Sequence, residues 1–414
     1  MDSFQSHTVT GFVPKNEKKR SERGSVSSSI CCDSVGAEGR QERFMDEASK
    51  AARPLTVRHK CSACFKQYKK KEHLIAHMRV ANHSVHQPQC GVCQKYCKSF
   101  ESLREHLSGP LRKVFCAKIF SSRGCDLCMD VFGSSDALDM HKEKCRMCPL
   151  PALGHAQVNF LENNLESVDH AQLIAANHNN ESPKAVAMDC EMVGGGSDGT
   201  LDICGRVCLI DEDENVIFHS YVIPQIPITN YRHEITGITE DNLKGARPLK
   251  QVREKIEEIL HNGEAIWKIR LHGGKARILV GHSIEHDLYC LQMNYPDHLR
   301  RDTACYPPLM KTNLASHSLK YLVKTYLGNE IQSGVHDPYE DCVAAMRLYK
   351  KMRGQAHNLR RSGTLILNGM QYPTSLDDAW GQKELEKMSP EALFEISKPN
   401  YRCWCLDREP EPES

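Results

Sequence analysis

The spacing of apolar and polar positions divides the chain into stretches of different texture. Residues 1–55 are rich in Ser, Gly and charge and show little periodicity, which predicts a disordered tail. From residue 184 the texture changes. "AVAMDCEMV" (185–193), "GRVCLIDE" (205–212) and "NVIFHSYVIP" (215–224) read as three strands, the last two joined by an acidic turn as in an antiparallel meander. "LKQVREKIEEIL" (249–260) has helical spacing and "ARILVGH" (276–282) reads as a short buried strand. "IEHDLYCLQM" (284–293), "SLKYLVKTYL" (318–327) and "PYEDCVAAMRLYKKM" (338–352) read as helices. Three strands followed by alternating helix and strand predict an α/β domain over 184–355, a mixed sheet flanked by helices. Residues 149–183 read as a linker with a short helix at Phe160–Ala176, closed by Pro183. Residues 356–414 read as a loosely packed tail with two weak, proline-bounded helices.

Composition adds most through its distribution. The net charge is only +1, yet residues 56–120 carry 13 Lys/Arg against 3 Glu, and residues 389–414 carry 3 against 6 acids. A basic module therefore precedes the sheet domain and an acidic end follows it. Of 20 Cys, 12 fall within residues 31–148, several as C-x-x-C pairs with downstream His, which points to zinc in a reducing compartment rather than disulfides. No apolar signal core and no run of 18 apolar residues is present, so neither a signal peptide nor a membrane span is expected and the protein should be intracellular. "PKNEKKR" (Pro14–Arg20) is a candidate nuclear import patch, alternatively a solvated basic run. The nucleus is the expected location, the nucleolus a narrower expectation, the cytoplasm the alternative.

The module at 56–148 reads as three small ββα zinc fingers. Cys61, Cys64, His77 and His83 follow the C₂H₂ ligand pattern, with Tyr68 and Leu74 as the small core. Cys90, Cys93 and His106 repeat the first three ligands. Their fourth ligand is Cys116 after a long loop, with Cys97 as competitor. Cys125, Cys128, His141 and Cys145 form a third set, with Phe132 and Leu138 as core and Cys148 as a spare thiol. The helix positions that would read bases in fingers two and three lack Arg, Asn and Gln. Lys66, Lys69, Lys70, Lys71, Arg79, Arg112 and Lys113 instead form a basic surface suited to a nucleic-acid backbone or structured RNA. A purely structural or protein-binding module is the alternative.

Within the sheet domain, Asp189 and Glu191 sit two apart on one face of a strand. They mark either an exposed sheet edge or a site that needs a cation. Asp287 follows the short strand and Asp341 starts the last helix, five residues after His336. Four carboxylates converging on one end of a sheet call for hard divalent ions such as Mg²⁺ or Mn²⁺. Two such ions would stabilise the attacking and leaving oxygens of a phosphodiester displacement. His336 is placed to deprotonate a water. His282, Glu285, His286 and Asp302 read as caps or surface groups, and Cys190, Cys204, Cys208 and Cys290 as core thiols. "KIRLHGGKAR" (268–277) is a basic loop that would track phosphates or simply carry surface charge.

"MDCEMVG", "LVGHSIEHDL" and His336-x4-Asp341 followed by "AAMRLY" resemble the DEDDh 3′→5′ exonucleases. Among these they resemble the branch of RNA exonuclease 4-type and interferon-stimulated exonucleases. The array of fingers resembles plant members of that branch. The resemblance covers about residues 184–353. It implies an RNase H-like fold with a mixed five-stranded sheet, two Mg²⁺ or Mn²⁺ ions in the site, and removal of nucleotides as 5′-monophosphates from the 3′ end of single-stranded RNA. DNA is the rival substrate, and a zinc-finger nucleic-acid-binding protein with an inactive nuclease fold is the rival of another class. By the resemblance Asp189 bridges both metals, Glu191 and Asp341 complete the water-bearing site, Asp287 holds the second ion and His336 is general base. Met192 and Val193 match positions that contact the terminal nucleotide, and Arg232 one that contacts its ribose. The Gly194–Gly196 run would let backbone approach the substrate, or form a flexible loop.

Overall fold

The apolar alternation of the sheet domain becomes a seven-stranded mixed sheet. In the computed structural model, residues 58–146, 185–269, 274–355, 357 and 380–408 are described. The expected tail at 1–55, the import patch, Cys148, the linker helix and the middle of the basic loop lie outside them. The first finger contributes the hairpin β1 (His59–Lys60) and β2 (Gln67–Tyr68). The sheet is built from β3 (Ala185–Gly195), β4 (Leu201–Ile210), β5 (Val216–Ile223), β6 (Ile228–Asn230), β7 (Arg247–Pro248), β8 (Ile278–Gly281) and β9 (Arg300–Asp302). Its order is β7-β5-β4-β3-β8-β9, with β6 paired to the far end of β3. β3, β4 and β5 form the antiparallel meander, while β8 and β9 continue in parallel. Two strands more than the expected five are present. β6 and β7, three and two residues long, are too short to show a period.

Helices α1 (Lys71–Ala81), α2 (Phe100–Ser108), α3 (Val114–Arg123) and α4 (Ser135–Cys145) belong to the finger module. In the sheet domain α5 (Leu249–His261) covers one face and α8 (Pro338–Arg353) the other. Between them in sequence lie α6 (Ile284–Cys290) and α7 (Leu319–Leu322), which runs on into a π turn at Val323–Leu327. β3 shows why two faces are filled. Val186, Met188 and Cys190 pack with Val252, Ile256 and Leu260 of α5, while Ala185 and Ala187 pack with Cys342, Val343 and Met346 of α8. The same parity puts Asp189 and Glu191 on the α8 side.

The C-terminal stretch corrects the expectation of a loosely packed tail. α9 (Gln382–Lys387) and α10 (Pro390–Glu395) insert Leu385, Leu393 and Phe394 among Leu74, Ile75 and Met78 of the first finger. Further on, Trp404 stacks on Tyr306 at 3.8 Å between ring centroids and an interplanar angle of 11°. These anchors are few and irregularly spaced, so they leave no periodic face in the sequence. The fingers are not separate beads either. Phe100, Leu103, Leu107, Cys116, Phe120 and Met129 share one buried cluster with residues of the sheet, the π turn and α8.

Candidate active site and metal centres

β3 is the central strand, which removes the sheet-edge reading of its two acids. β8 pairs with it only over Ala185–Ala187, so the β8-side edge opens one residue pair before Asp189. The chain leaving β8 turns at Gly281, where a Cβ would lie 2.9 Å from the Met188 carbonyl, and enters α6. α6 brings Asp287 to that opening, 4% exposed. From the other side α8 brings Asp341, 5% exposed, in its first turn, where the helix dipole favours negative charge. His336 precedes α8 rather than lying on it. Asp337 caps the helix through the Tyr339 N–H, and the His336 N–H donates to the Ile235 carbonyl at 2.6 Å. Ligand atoms of Glu191, His336 and Asp341 all lie within 4.8 Å of one another. Thus the five residues expected to act together come from β3, α6 and the start of α8.

The electrostatics of the group are those of acids too close to remain charged alone. Burial pushes the Asp189 carboxyl well above its ordinary value, with Asp341, Asp287 and Glu191 adding to it. Burial, then Asp341, pushes Glu191 up to about 8, against the pull of Arg206. Asp341 is pushed up to about 7 by burial, opposed by a hydrogen bond from Gln332. Burial and then Asp302 raise Asp287, while the Cys190 N–H and thiol hold it back. Gln332 donates to Asp341 Oδ2 at 2.8 Å, but Oδ1 is buried with no hydrogen-bond partner. A buried carboxylate oxygen without a donor, among three other acids, fits a divalent cation with oxygen ligands. Burial lowers the His336 imidazole, with Lys320 adding to this and Glu340 opposing it, so the ring favours its neutral form.

Two supporting residues were not singled out from the sequence. Arg206 lies opposite Glu191 across the β3–β4 ladder, where a bulge follows. Its side chain is 3% exposed, donating to His219 Nε2 at 2.8 Å and pairing with Asp337 at 3.3 Å. An arginine within the apolar run "GRVCLI" was the available signal. Gln332 carried none.

The expected substrate contacts fare unevenly. Met192 is half-buried, but the Val193 side chain is fully buried with Tyr221 and Ile238, so it supports the wall rather than reaching out of it. Arg232 has left-handed backbone, and its guanidinium pairs with Asp202 at 2.6 Å and donates to the Gly199 carbonyl at 3.2 Å. Gly194 and Gly195 belong to β3, not to a loose loop. A Cβ at Gly194 would lie 2.2 Å from the Gly199 carbonyl. His282 bonds Thr303, Glu285 pairs with Arg300, and His286 reaches Asp202. Asp302 accepts from the Ser283 and Ile284 N–H groups and so caps α6.

The finger ligands assemble as three groups: Cys61, Cys64, His77, His83; Cys90, Cys93, His106, Cys116; and Cys125, Cys128, His141, Cys145. Cys116, carried by the added helix α3, joins the second group. Cys97 does not; it is buried in the core between finger two and the sheet domain. Cys64 Sγ lies 3.2 Å from His77 Nε2, Cys93 Sγ 3.4 Å from His106 Nε2, and Cys125 Sγ 3.8 Å from Cys145 Sγ. Ligands on a tetrahedral zinc, with bonds of about 2.0–2.3 Å, are separated by about 3.3–3.8 Å. The helix of finger two faces the sheet domain. Glu101 accepts from the Thr312 N–H at 2.6 Å, and Phe100 meets Tyr326. That face cannot enter a DNA groove.

Known proteins resemble the sheet domain in sequence. The sequence matches the exonuclease family over residues 186–349. Over these residues the chain is similar to that family. The chain is 36% identical over 176 residues to a protein named RNA exonuclease 4 from Candida glabrata, covering 42% of this chain and 62% of that one. It is 33% identical over 198 residues to RNA exonuclease 4 of Homo sapiens, covering 47% and 43%. The chain thus spans about half the length of the curated relatives it matches. The Saccharomyces cerevisiae Pan2 pseudoubiquitin hydrolase–RNA exonuclease module in complex with AAUUAA RNA is 26% identical, with a TM-score of 0.33 over 42% of this chain and 29% of that one. No described helix is long and apolar enough to cross a membrane.

Proposed function

We propose that the chain is a metal-dependent 3′→5′ exoribonuclease that releases nucleoside 5′-monophosphates from single-stranded RNA. The observation that carries this reading is the meeting of Glu191, His336 and Asp341 within 4.8 Å, with Asp189 buried under the influence of Asp341, Asp287 and Glu191, and with Asp341 Oδ1 buried without a donor. Asp189, Glu191, Asp287 and Asp341 would hold two Mg²⁺ or Mn²⁺ ions. Bound there, the ions supply neutralisation of the negative charge that gathers on the phosphodiester oxygens. His336, half-buried and shifted toward its neutral form, takes a proton from the attacking water. Arg206, opposite Glu191 on the neighbouring strand, pairs with Asp337 beside His336. The half-buried Met192 borders the place of the terminal nucleotide.

RNA is chosen on the names of the similar proteins. One observation favours the second reading, a DNA substrate: the Arg232 guanidinium is engaged by Asp202 and Gly199 instead of standing free for a ribose hydroxyl. Zinc in the three fingers is part of the proposal. The exposed Lys66, Lys69 and Lys70 of finger one, with Arg112 and Lys113 of the final loop of finger two, would hold the substrate backbone, while the helix of finger two serves the fold. The nucleus is the proposed location, the nucleolus the narrower one, with the cytoplasm as alternative.

The deciding experiment incubates 5′-labelled single-stranded RNA and the matching DNA with wild type and Asp189→Ala, with Mg²⁺, with Mn²⁺ or with neither. A metal-dependent ladder that shortens from the 3′ end and is absent in the variant is expected. Cleavage retained by the variant overturns the assignment, and the RNA-to-DNA rate ratio decides the sugar. Binding without any ladder would make the chain a finger-led binding protein.

A further inference from the structure

We propose that His86, His357, Cys403 and Cys405 form a fourth zinc site, which fastens the C-terminal segment to the joint between fingers one and two. The four residues come from three distant parts of the chain, and one ligand atom of each lies within 4.8 Å of all the others. His357 Nε2 is 3.2 Å from Cys403 Sγ, and His86 Nδ1 is 3.3 Å from Cys405 Sγ. These separations match those inside the three finger groups, where Sγ–Nε2 distances are 3.2, 3.4 and 3.2 Å.

The donor set, two thiols and two imidazoles, suits zinc and not the hard cations of the acidic site. The neighbours support the ligands. The Tyr306 hydroxyl lies 3.5 Å from Cys403 Sγ, and the Tyr401 hydroxyl donates to the His86 carbonyl at 3.1 Å. Hydrogen bonds from neighbouring groups to the ligands orient them toward a zinc ion. Cys403 is 2% exposed and both cysteines are free thiols, so the pair is neither a surface trap nor a disulfide. Position explains the purpose. His86 falls three residues after the last ligand of finger one and four before the first of finger two. An ion here closes a loop of more than three hundred residues, as the separation of 319 between His86 and Cys405 shows. It would draw Trp404 onto Tyr306 and α10 onto finger one. Binding displaces the two thiol protons to solvent, with no change of oxidation state.

Native mass spectrometry of the full chain tests this. The parent carries Asp189→Asn, so that zinc in the acidic site does not enter the count. Four zinc ions are expected in the parent and three in Cys403→Ser/Cys405→Ser on the same background. Three ions in the parent, or four in both proteins, overturns the proposal. Should the double variant fail to fold, His357→Ala replaces it, since this half-buried ring contacts the cluster through Cys403 and His86. It is expected to lose one ion to a chelator that leaves the parent at four. Retention of all four under that chelator overturns the proposal equally.

Discussion

Arg301 and Asp407, 106 residues apart, meet in a two-pronged ion pair of 2.7 and 2.8 Å with side chains 4% and 1% exposed. β9, the strand next to β8, is thereby joined to the end of the described chain. Asp407 also accepts from the Tyr349 hydroxyl and pairs with Arg402. Removing one partner of a buried pair strands the other charge. Asp407→Ala is therefore expected to cost about 3–5 kcal/mol. Urea unfolding of wild type and variant measures it. A cost below about 1 kcal/mol, the range of exposed pairs, would mean that the segment is peripheral to the fold.

The acids of the site conflict with stability, and Asp341 shows it most directly. Its Oδ1 has no donor and its carboxyl is pushed up to about 7. Asp341→Asn removes the need to bury charge while keeping the shape. Without added Mg²⁺ the variant is expected to unfold at the same or a higher temperature than wild type, by about 1–2 kcal/mol of stability, because functional strain is relieved. Cleavage of labelled RNA should fall by about a thousandfold or more, a loss of about 4 kcal/mol in the barrier. A variant that is both inactive and clearly less stable would mark Asp341 as a structural group.

The candidate acids stood out in the sequence because each sits in a local pattern. Asp189 and Glu191 interrupt an apolar strand, Asp287 follows a buried strand, and Asp341 begins a helix whose N-cap and proline are visible as "HDPYED". The finger ligands were legible for the same reason: their spacing is local. What was hidden depends on pairing between distant residues. Leu393, Phe394 and Trp404 have no periodic neighbours, and His86 and His357 resemble any other histidine until the fold sets them beside Cys403 and Cys405. Arg232 illustrates the reverse case. The family resemblance implied a sugar contact, and only the fold shows Asp202 of β4 holding it.

Finger two behaves as core, so damaging it should damage the sheet domain. Phe100 is 4% exposed and meets Tyr326 edge-on at 5.9 Å. Phe100→Ala touches none of the zinc ligands, and a buried Phe→Ala change costs about 3–5 kcal/mol. Hydrogen exchange is the measurement that localises the effect. Amides of α8 and β8 are expected to lose protection together with those of α2, because their side chains share one cluster. Loss confined to α2 and α3 would show that the fingers fold as an independent module.

Proton and metal binding should compete in the site, with a sign that can be worked out. Glu191 is pushed up to about 8 and Asp341 to about 7 in the folded chain. Between the ordinary carboxylate range near about pH 4 and those values, the folded state holds protons that the unfolded chain has released. Stability in the absence of Mg²⁺ therefore falls as pH rises through this window, since the unfolded state binds fewer protons. Mg²⁺ needs the carboxylates charged, so its binding displaces those protons and its stabilising effect grows with pH. Each proton displaced contributes up to about 1.4 kcal/mol per pH unit. With zinc kept in the buffer, melting temperatures with and without Mg²⁺ should diverge from about pH 6 to about pH 8, and Asp341→Asn should weaken the divergence. An equal Mg²⁺ increment at both ends would show that the acids titrate as ordinary exposed carboxylates. In that case the site would lack the buried, convergent charge on which the proposed cleavage rests.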